Sequence, residues 1–422
     1  MSDSADYLII GAGIVGLSIA REIKAHEPGA TIRILEKESR LGMHASGRNS
    51  GVLHTGIYYA PGTLKAKLCK AGADAMFAYG EEHGIPVRRD GKVIVATSEQ
   101  NAEGLEKLMM NAKANGIRAN RIDGDEIRRI EPHARAEFGG IHCQDTAVID
   151  SLKVLETLRT QLAQQGVQID MDQTLTGISE TRRSATAGQR NYSYGLLINA
   201  AGAYADRVAR LAGVGQHYEL VPFKGLYYKL APEAATMVRG SIYPVPNPAL
   251  PFLGIHFTRV INNEVYIGPT AIPALGRENY GVLSGVNPIE AVTIGARLAR
   301  LYASNPQNFR NLVHGEIPHY CKANFLATAR QLVDRLEPDW MKATAKVGIR
   351  PQLLNTREGR LEMDFVVDRG RNSVHVLNAI SPAFTSAFAF AAWLADKYVY
   401  PARTSEHQSR GITAPSPVSA VN

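Results

Sequence analysis

The apolar positions change their spacing early in the chain. Tyr7 to Ile10 is an unbroken apolar run that stops at Gly11, the pattern of a short buried parallel strand. Beyond it, Val15, Ile19 and Ile23 recur at a four-residue interval, which predicts a helix with one apolar face. "TIRILEK" then predicts a second strand ending in Glu36. The same strand–turn–helix order returns in "YGLLINAAGAYADRVARLAG", with Leu196 to Asn199 as strand and Ala200, Ala201 and Gly202 as a small-residue turn. It returns again in "VHVLNAISPAFTSAFAFAAWLADKYV". There a strand ends near Asn378, Ser381 is expected as N-cap and Pro382 suits the first helical turn. Phe384, Phe388, Ala391 and Ala395 share the apolar face that follows. Between these units "KVIVATS" and "LYYKL" read as strands, while "AVTIGARLARLYASN" and "NFLATARQLVDRL" read as helices.

The first turn carries chemistry. Gly11, Gly13 and Gly16 form G-x-G-x-x-G, with Ile14 and Val15 opening the helix. Such glycines permit the turn, let a pyrophosphate approach the backbone, and let helix pack on sheet. The helix start adds unpaired N–H groups and a positive dipole end. Glu36, followed by Lys37, lies about twenty residues past Gly16, where a carboxylate binds ribose hydroxyls. An acid there disfavours a 2′-phosphate, so FAD or NAD remains.

Composition narrows the field only a little. The 422 residues are 45% hydrophobic and 21% charged, ordinary for a globular protein, and long enough for two or three domains. The net charge of +7 is dispersed, with no basic stripe, so no nucleic-acid partner is expected. Attraction to an anionic substrate or to a negatively charged membrane face stays open. Cys69, Cys143 and Cys321 are far apart and show no metal-ligand spacing, so neither a disulfide framework nor a metal is expected. No secretory start and no apolar stretch long enough to span a bilayer stand out. The expected location is the cytoplasm, with peripheral contact to the inner face of the membrane left open.

The segment "HASGRNSGVLHTGIYY", His44 to Tyr59, chooses between the cofactors. Ser46, Arg48, Asn49 and Ser50 offer hydrogen bonds, and Gly47 and Gly51 let backbone come close to a ligand. A flavin is a long rigid tricycle that needs such a cradle. The arrangement resembles the FAD-containing oxidoreductases of the D-amino-acid oxidase and glycerol-3-phosphate dehydrogenase type. "SGRNSGVLHTGIYYAPGTLKAKLC" closely resembles the L-2-hydroxyglutarate oxidase/dehydrogenase family. The resemblance implies FAD as cofactor, with the Ala200–Gly202 turn near its phosphates. It also implies that the helix start at Ser381, Pro382, Ala383, Phe384 and Thr385 faces the flavin's pyrimidine edge, where negative charge gathers on reduction. In related amine dehydrogenases a histidine in a similar loop carries flavin covalently, so His54 is read either as an attachment point or as a noncovalent contact.

The fold expected is α/β: a Rossmann-like FAD-binding domain with a central parallel sheet, plus an α+β substrate domain with a mostly antiparallel sheet. The FAD-binding domain is discontinuous, over 1–85, 145–215 and 345–400. The substrate domain takes 86–144 and 216–344. The Ser-, Pro- and Thr-rich stretch 401–422 is expected to be disordered.

"IYPVPNPALPFLGIHFTRVINNEVYIGPTAI" resembles the same family almost throughout. It puts His256 and Arg259 three apart on an extended stretch, so they take opposite faces of a regular strand. Oxidation at C2 of a 2-hydroxy acid sends hydride to flavin N5 while a base takes the hydroxyl proton. Histidine suits that work, with His256 first and His54 second. Arginine clamps a carboxylate in bidentate fashion. Arg350 is assigned to the carboxylate beside the reacting carbon, while Lys224, Arg259, Tyr227 and Tyr228 compete for the distal one, with Gln352 nearby. The family often has Asn where Thr270 stands and Lys where Gly276 stands, and Phe384 is bulkier than usual, which puts the exact substrate in doubt. The reaction implied is L-2-hydroxyglutarate to 2-oxoglutarate, with a quinone or another electron acceptor. The rival on the same scaffold is an amine or amino-acid oxidase.

Overall fold

The computed structural model describes residues 3–246 and 252–400; the expected tail from Pro401 lies outside them. Two sheets organise these residues. The first runs in the order Leu175–Ser179, Ser184–Ala187, Arg190–Asn199, Ser4–Ile10, Ile32–Leu35, Gln168–Asp170. Its central pairs are parallel: Ile10 lies against Asn199 on one side and Leu35 on the other. Strand Ser373–Asn378 adds parallel to the end of Arg190–Asn199, so three distant stretches build one sheet. Leu8 and Ile9 are fully buried, as expected of a parallel strand covered on both faces.

Helices Ile14–His26, Leu64–Glu82, Ser151–Gln164 and Ala383–Leu394 supply apolar side chains to the core packed on this sheet. Helix Ala383–Leu394 is buried nearly all round, and it meets Leu64–Glu82 where a side chain at Gly72 would come within 2.6 Å of Ser386 Cα. Ser381 is not its cap. Pro382 holds the N-cap position with no side-chain cap, and its carbonyl accepts the first helical bond, from Ser386 N at 2.9 Å. Ser381 therefore stands one residue too early for its hydroxyl to reach the helical N–H groups a cap serves.

The second sheet has ten strands and is antiparallel apart from one pair, Ser241–Pro244 beside Lys92–Val95. Its spine is Tyr218–Leu230 against Met341–Asn355, paired from Tyr218↔Asn355 to Leu230↔Met341. Residues 345–355, expected in the cofactor domain, thus lie in the second sheet, because Tyr218–Leu230 pairs with them along their length. The helix expected over "NFLATARQLVDRL" ends at Ala329; Val333 instead bridges to Ala134. Buried Asp206 and Arg277 join the two parts by a bidentate ion pair of 2.5 and 2.9 Å.

Candidate active site

One cavity of about 1100 Å³ lies between the sheets. At one end it meets the first strand–helix turn. Gly11 has φ +103, and a Cβ there would sit 2.6 Å from the Ala200 carbonyl, so only glycine lets the two turns approach. A Cβ on Gly16 would fall 2.0 Å from the Gly11 carbonyl. Gly16 therefore serves helix–strand contact and does not line the cavity, whereas Gly11, Gly13, Ile14 and Val15 do. The Gly13 N-cap has no side-chain acceptor; Ser46 Oγ accepts from Ile14 N at 2.9 Å. Glu36 is held by two backbone donors, Ala12 N at 2.8 Å and Glu38 N at 3.0 Å, and faces the same space.

The loop after Glu36 is fixed by a polar network. Lys37 pairs with Glu38 and, at 2.7 Å, with Glu278. His44 bridges Glu38 and the Tyr280 hydroxyl, each at 2.7 Å, and the Arg48 guanidinium lies 3.9 Å from the Tyr280 ring centre. Glu38, His44 and Glu278 are close enough to hold a cation, but the Lys37 ammonium bonds to both carboxylates. Lys37, Ser46, Arg48, Asn49 and Ser50 line the cavity; Gly47 and Gly51 lie behind that wall. Ala200, Ala201 and Gly202 line it from the central turn, and Ser381 through Thr385 from the last helix start. Thr385 Oγ1 donates to Val52 O at 3.1 Å and accepts from His54 N at 3.3 Å, tying that helix to the loop.

The inner end collects His54, His256, Arg350, Tyr227, Tyr243, Phe252 and Gln352. His256 Nδ1 donates to the Gly254 carbonyl at 2.8 Å, which leaves Nε2 as the acceptor nitrogen. Its ring stacks on Tyr243, centres 3.9 Å apart and 24° from parallel. Burial pushes His256 down to about 3, against the opposing Gly254 bond and with Arg350 and Lys92 adding to the shift. Burial likewise takes His54 to about 3, followed by the like charges of Lys92, His256 and Arg350. Both rings are neutral at working pH. Arg350 donates to Thr270 O at 3.2 Å, lies over Phe252, and has no carboxylate partner among the described residues.

Strand alternation separates the other candidates. Arg259 points away from His256 and bonds the Ala235 and Val238 carbonyls. Gly225 and Tyr227 line the cavity, while Lys224 takes the opposite face and donates to Gly281 O at 2.7 Å. Tyr228 packs edge-on against Phe325. Gln352 donates to the Glu362 carbonyl. The Thr270 hydroxyl is spent between strands, donating to Lys224 O and accepting from Leu226 N, and Gly276 sits in a turn where a Cβ would be 2.6 Å from Gly285 O. Neither departure lines the cavity; Phe384 does. Tyr58, Tyr243, Phe252 and Lys92 were not distinguishable in the sequence from core aromatics and a strand-start lysine.

The sequence profile of the FAD dependent oxidoreductase family matches residues 6–397. A mitochondrial L-2-hydroxyglutarate dehydrogenase of Nematostella vectensis is 36% identical over 421 residues, covering 94% of this chain and 91% of its own. The L-2-hydroxyglutarate dehydrogenase of Escherichia coli strain K12 is 32% identical, covering 99% of this chain and 98% of its own. Among solved structures, dithionite-reduced L-alpha-glycerophosphate oxidase from Mycoplasma pneumoniae with FAD bound superposes with a TM-score of 0.72. It is 21% identical and covers 94% of this chain and 95% of its own. Glycine oxidase from Geobacillus kaustophilus gives 0.69 at 18% identity, covering 93% and 94%. These two speak to fold alone.

Proposed function

This chain belongs to the FAD dependent oxidoreductase family, as an enzyme acting on CH–OH donors with FAD as cofactor, and we propose that it oxidises L-2-hydroxyglutarate to 2-oxoglutarate. The residues present fit the cofactor. The space at Gly11 is one a side chain would close against Ala200, the helix from Ile14 begins at the cavity with only its first N–H engaged by Ser46, and the cavity continues to Ser381–Thr385. Residues that would hold FAD are Gly11, Gly13 and Ile14 for its phosphates, Glu36 for a ribose, and Ser46, Arg48, Asn49 and Ser50 with Ala383 to Thr385 for the ring.

When bound, FAD supplies a two-electron acceptor for the hydride leaving C2. The rest falls to the chain. His256 Nε2 takes the hydroxyl proton as C2–O becomes a carbonyl, so the substrate loses one hydride and one proton. Arg350 holds the carboxylate next to C2 through the guanidinium donors that Thr270 leaves free, a charge-assisted contact. Tyr227 and Gln352 flank the ligand, and the buried setting keeps water from the reacting atoms. His54, also neutral, is the second candidate for the proton. A quinone or another acceptor takes the electrons in the oxidative half of the cycle. Among the described residues no helix is long and apolar enough to cross a membrane.

The observation that carries this reading is the meeting of a neutral histidine with a free ring nitrogen and an arginine without a carboxylate partner at the inner end of one cavity. The test is anaerobic mixing of holoenzyme with L-2-hydroxyglutarate, D-2-hydroxyglutarate, lactate, glycine and glutamate while the visible flavin absorbance is followed. Bleaching by L-2-hydroxyglutarate is expected. A spectrum that only an amino acid bleaches would overturn the assignment in favour of the amine-oxidising rival.

A further inference from the structure

Lys92 opens the Lys92–Val95 strand, is 1% exposed, and its Nζ has no hydrogen-bond partner among the described residues. An interior ammonium without a partner carries a heavy desolvation penalty. Aromatic faces surround it instead: Nζ lies 4.6 Å from the Tyr58 ring centre and 5.0 Å from that of Tyr243. Ring quadrupoles attract a cation in this position. Tyr243 also stacks on His256, and both tyrosines line the cavity, so the ammonium stands just behind its wall.

Among the described residues no anion balances it. Burial pulls the Lys92 pKa down; the groups that oppose that shift are Cys143 and Cys69, thiols that burial in turn pushes up, Cys69 to about 12. Around the two neutral histidines the charges have one sign. Arg350 and Lys92 act on both rings. Tyr58, Tyr227 and Tyr243 are titratable neighbours too, and burial keeps all three phenols protonated.

We propose that Lys92 is a positioning residue that gives this cavity its preference for dianionic over monoanionic ligands, acting through the Tyr58 and Tyr243 rings without touching the ligand. The inference rests on the dicarboxylate reading above. A charge behind a wall acts on every charge of the ligand, whereas a clamp such as Arg350 acts chiefly on the carboxylate it holds. Removing Lys92 should therefore cost a dianion about the square of the factor it costs a monoanion.

The experiment titrates oxidised holoenzyme with glutarate and with butyrate, read as perturbation of the flavin spectrum. Lys92→Met keeps the volume and removes the charge; Lys92→Arg keeps the charge. Lys92→Met should weaken glutarate about tenfold and butyrate about threefold at unchanged flavin content. Lys92→Arg should retain the preference. In the wild type, glutarate affinity should fall as pH rises and Lys92 loses its proton, while in Lys92→Arg it should stay level. Equal losses for the two ligands, or none in Lys92→Met, overturn the inference alone. If Lys92→Met fails to load flavin, the pH series decides, and a wild-type affinity as level as that of Lys92→Arg overturns it. A wild type that binds no glutarate and is not bleached by L-2-hydroxyglutarate overturns the dicarboxylate reading and this inference with it.

Discussion

Lowering the pH from 7.5 to 5.5 should remove several kcal/mol of stability, because this protein folds around three histidines held neutral. Burial takes His54 and His256 to about 3 and His375 to about 4. His375 is remote from the proposed chemistry: its ring nitrogens meet Asn199 Nδ2 at 3.1 Å and Ser373 Oγ at 2.7 Å within the first sheet. In the unfolded chain each imidazole titrates near ~6.5. All three native values lie below that, so the unfolded state binds more protons between roughly pH 4 and 6.5, and stability falls as pH falls through this window. At pH 5.5 each unfolded histidine carries ~0.9 proton that its native counterpart lacks. Across the two-unit drop each contributes about 1.4 kcal/mol, hence about 4 kcal/mol together. That is a large fraction of the roughly 5–15 kcal/mol typical of folded domains. The assay is proton uptake on urea unfolding at pH 5.5, in the wild type and in His54→Asn, His256→Asn and His375→Asn. Each substitution should lower uptake by ~0.9 proton. A folded variant with undiminished uptake would show that its histidine was already protonated, and the reasoning would fail there.

Four further outcomes follow from the site. His256→Asn should lower turnover of L-2-hydroxyglutarate by roughly 10²–10⁴ at unchanged flavin content; a loss under about tenfold removes it as the base. Arg350→Met should raise KM for the dicarboxylate by roughly 10–100-fold, the worth of a charged hydrogen bond. Equal loss of flavin would instead assign Arg350 to holding the fold through Thr270. Gly11→Ala, with its Cβ 2.6 Å from the Ala200 carbonyl at φ +103, should yield protein with well under half the wild-type ratio of flavin to protein absorbance. Full flavin loading would show that the two turns can separate. Acid precipitation should release all the yellow colour, and colour retained in the pellet would make His54 the attachment point.

Much of the first sheet could be read from changes in hydrophobic spacing. The run at Tyr7–Ile10, the four-residue recurrence through Ile23 and the strand at Leu196–Asn199 each bury their apolar residues locally, so their own sequence specifies them. Met341–Asn355 differs. Which sheet it joins is decided by Tyr218–Leu230, more than a hundred residues away, and nothing in its own pattern names that partner. The site divides in the same way. Glycines and the acid at Glu36 stand in one short unit, whereas the inner end depends on which way each strand residue faces. Alternation already sets Arg259 against His256, but it cannot say which of the two meets the cavity. Lys92 was invisible for another reason: a lysine at a strand start usually marks solvent, and only the tertiary enclosure by Tyr58 and Tyr243 reverses that.

Strand Ser4–Ile10 is soon followed along the chain by its neighbour Ile32–Leu35, yet its other neighbour Arg190–Asn199 follows much later, and Ser373–Asn378 later still. At roughly 5–20 residues per second, the nascent amino-terminal strand waits on the order of tens of seconds for its last companions. Until Arg190–Asn199 arrives, the edge it will cover is open to chaperones or to mispairing. A complete nucleotide cradle therefore waits for Ser373–Asn378 and the helix start beyond it, and a chain cut before Ser373 should yield no weak binder but none.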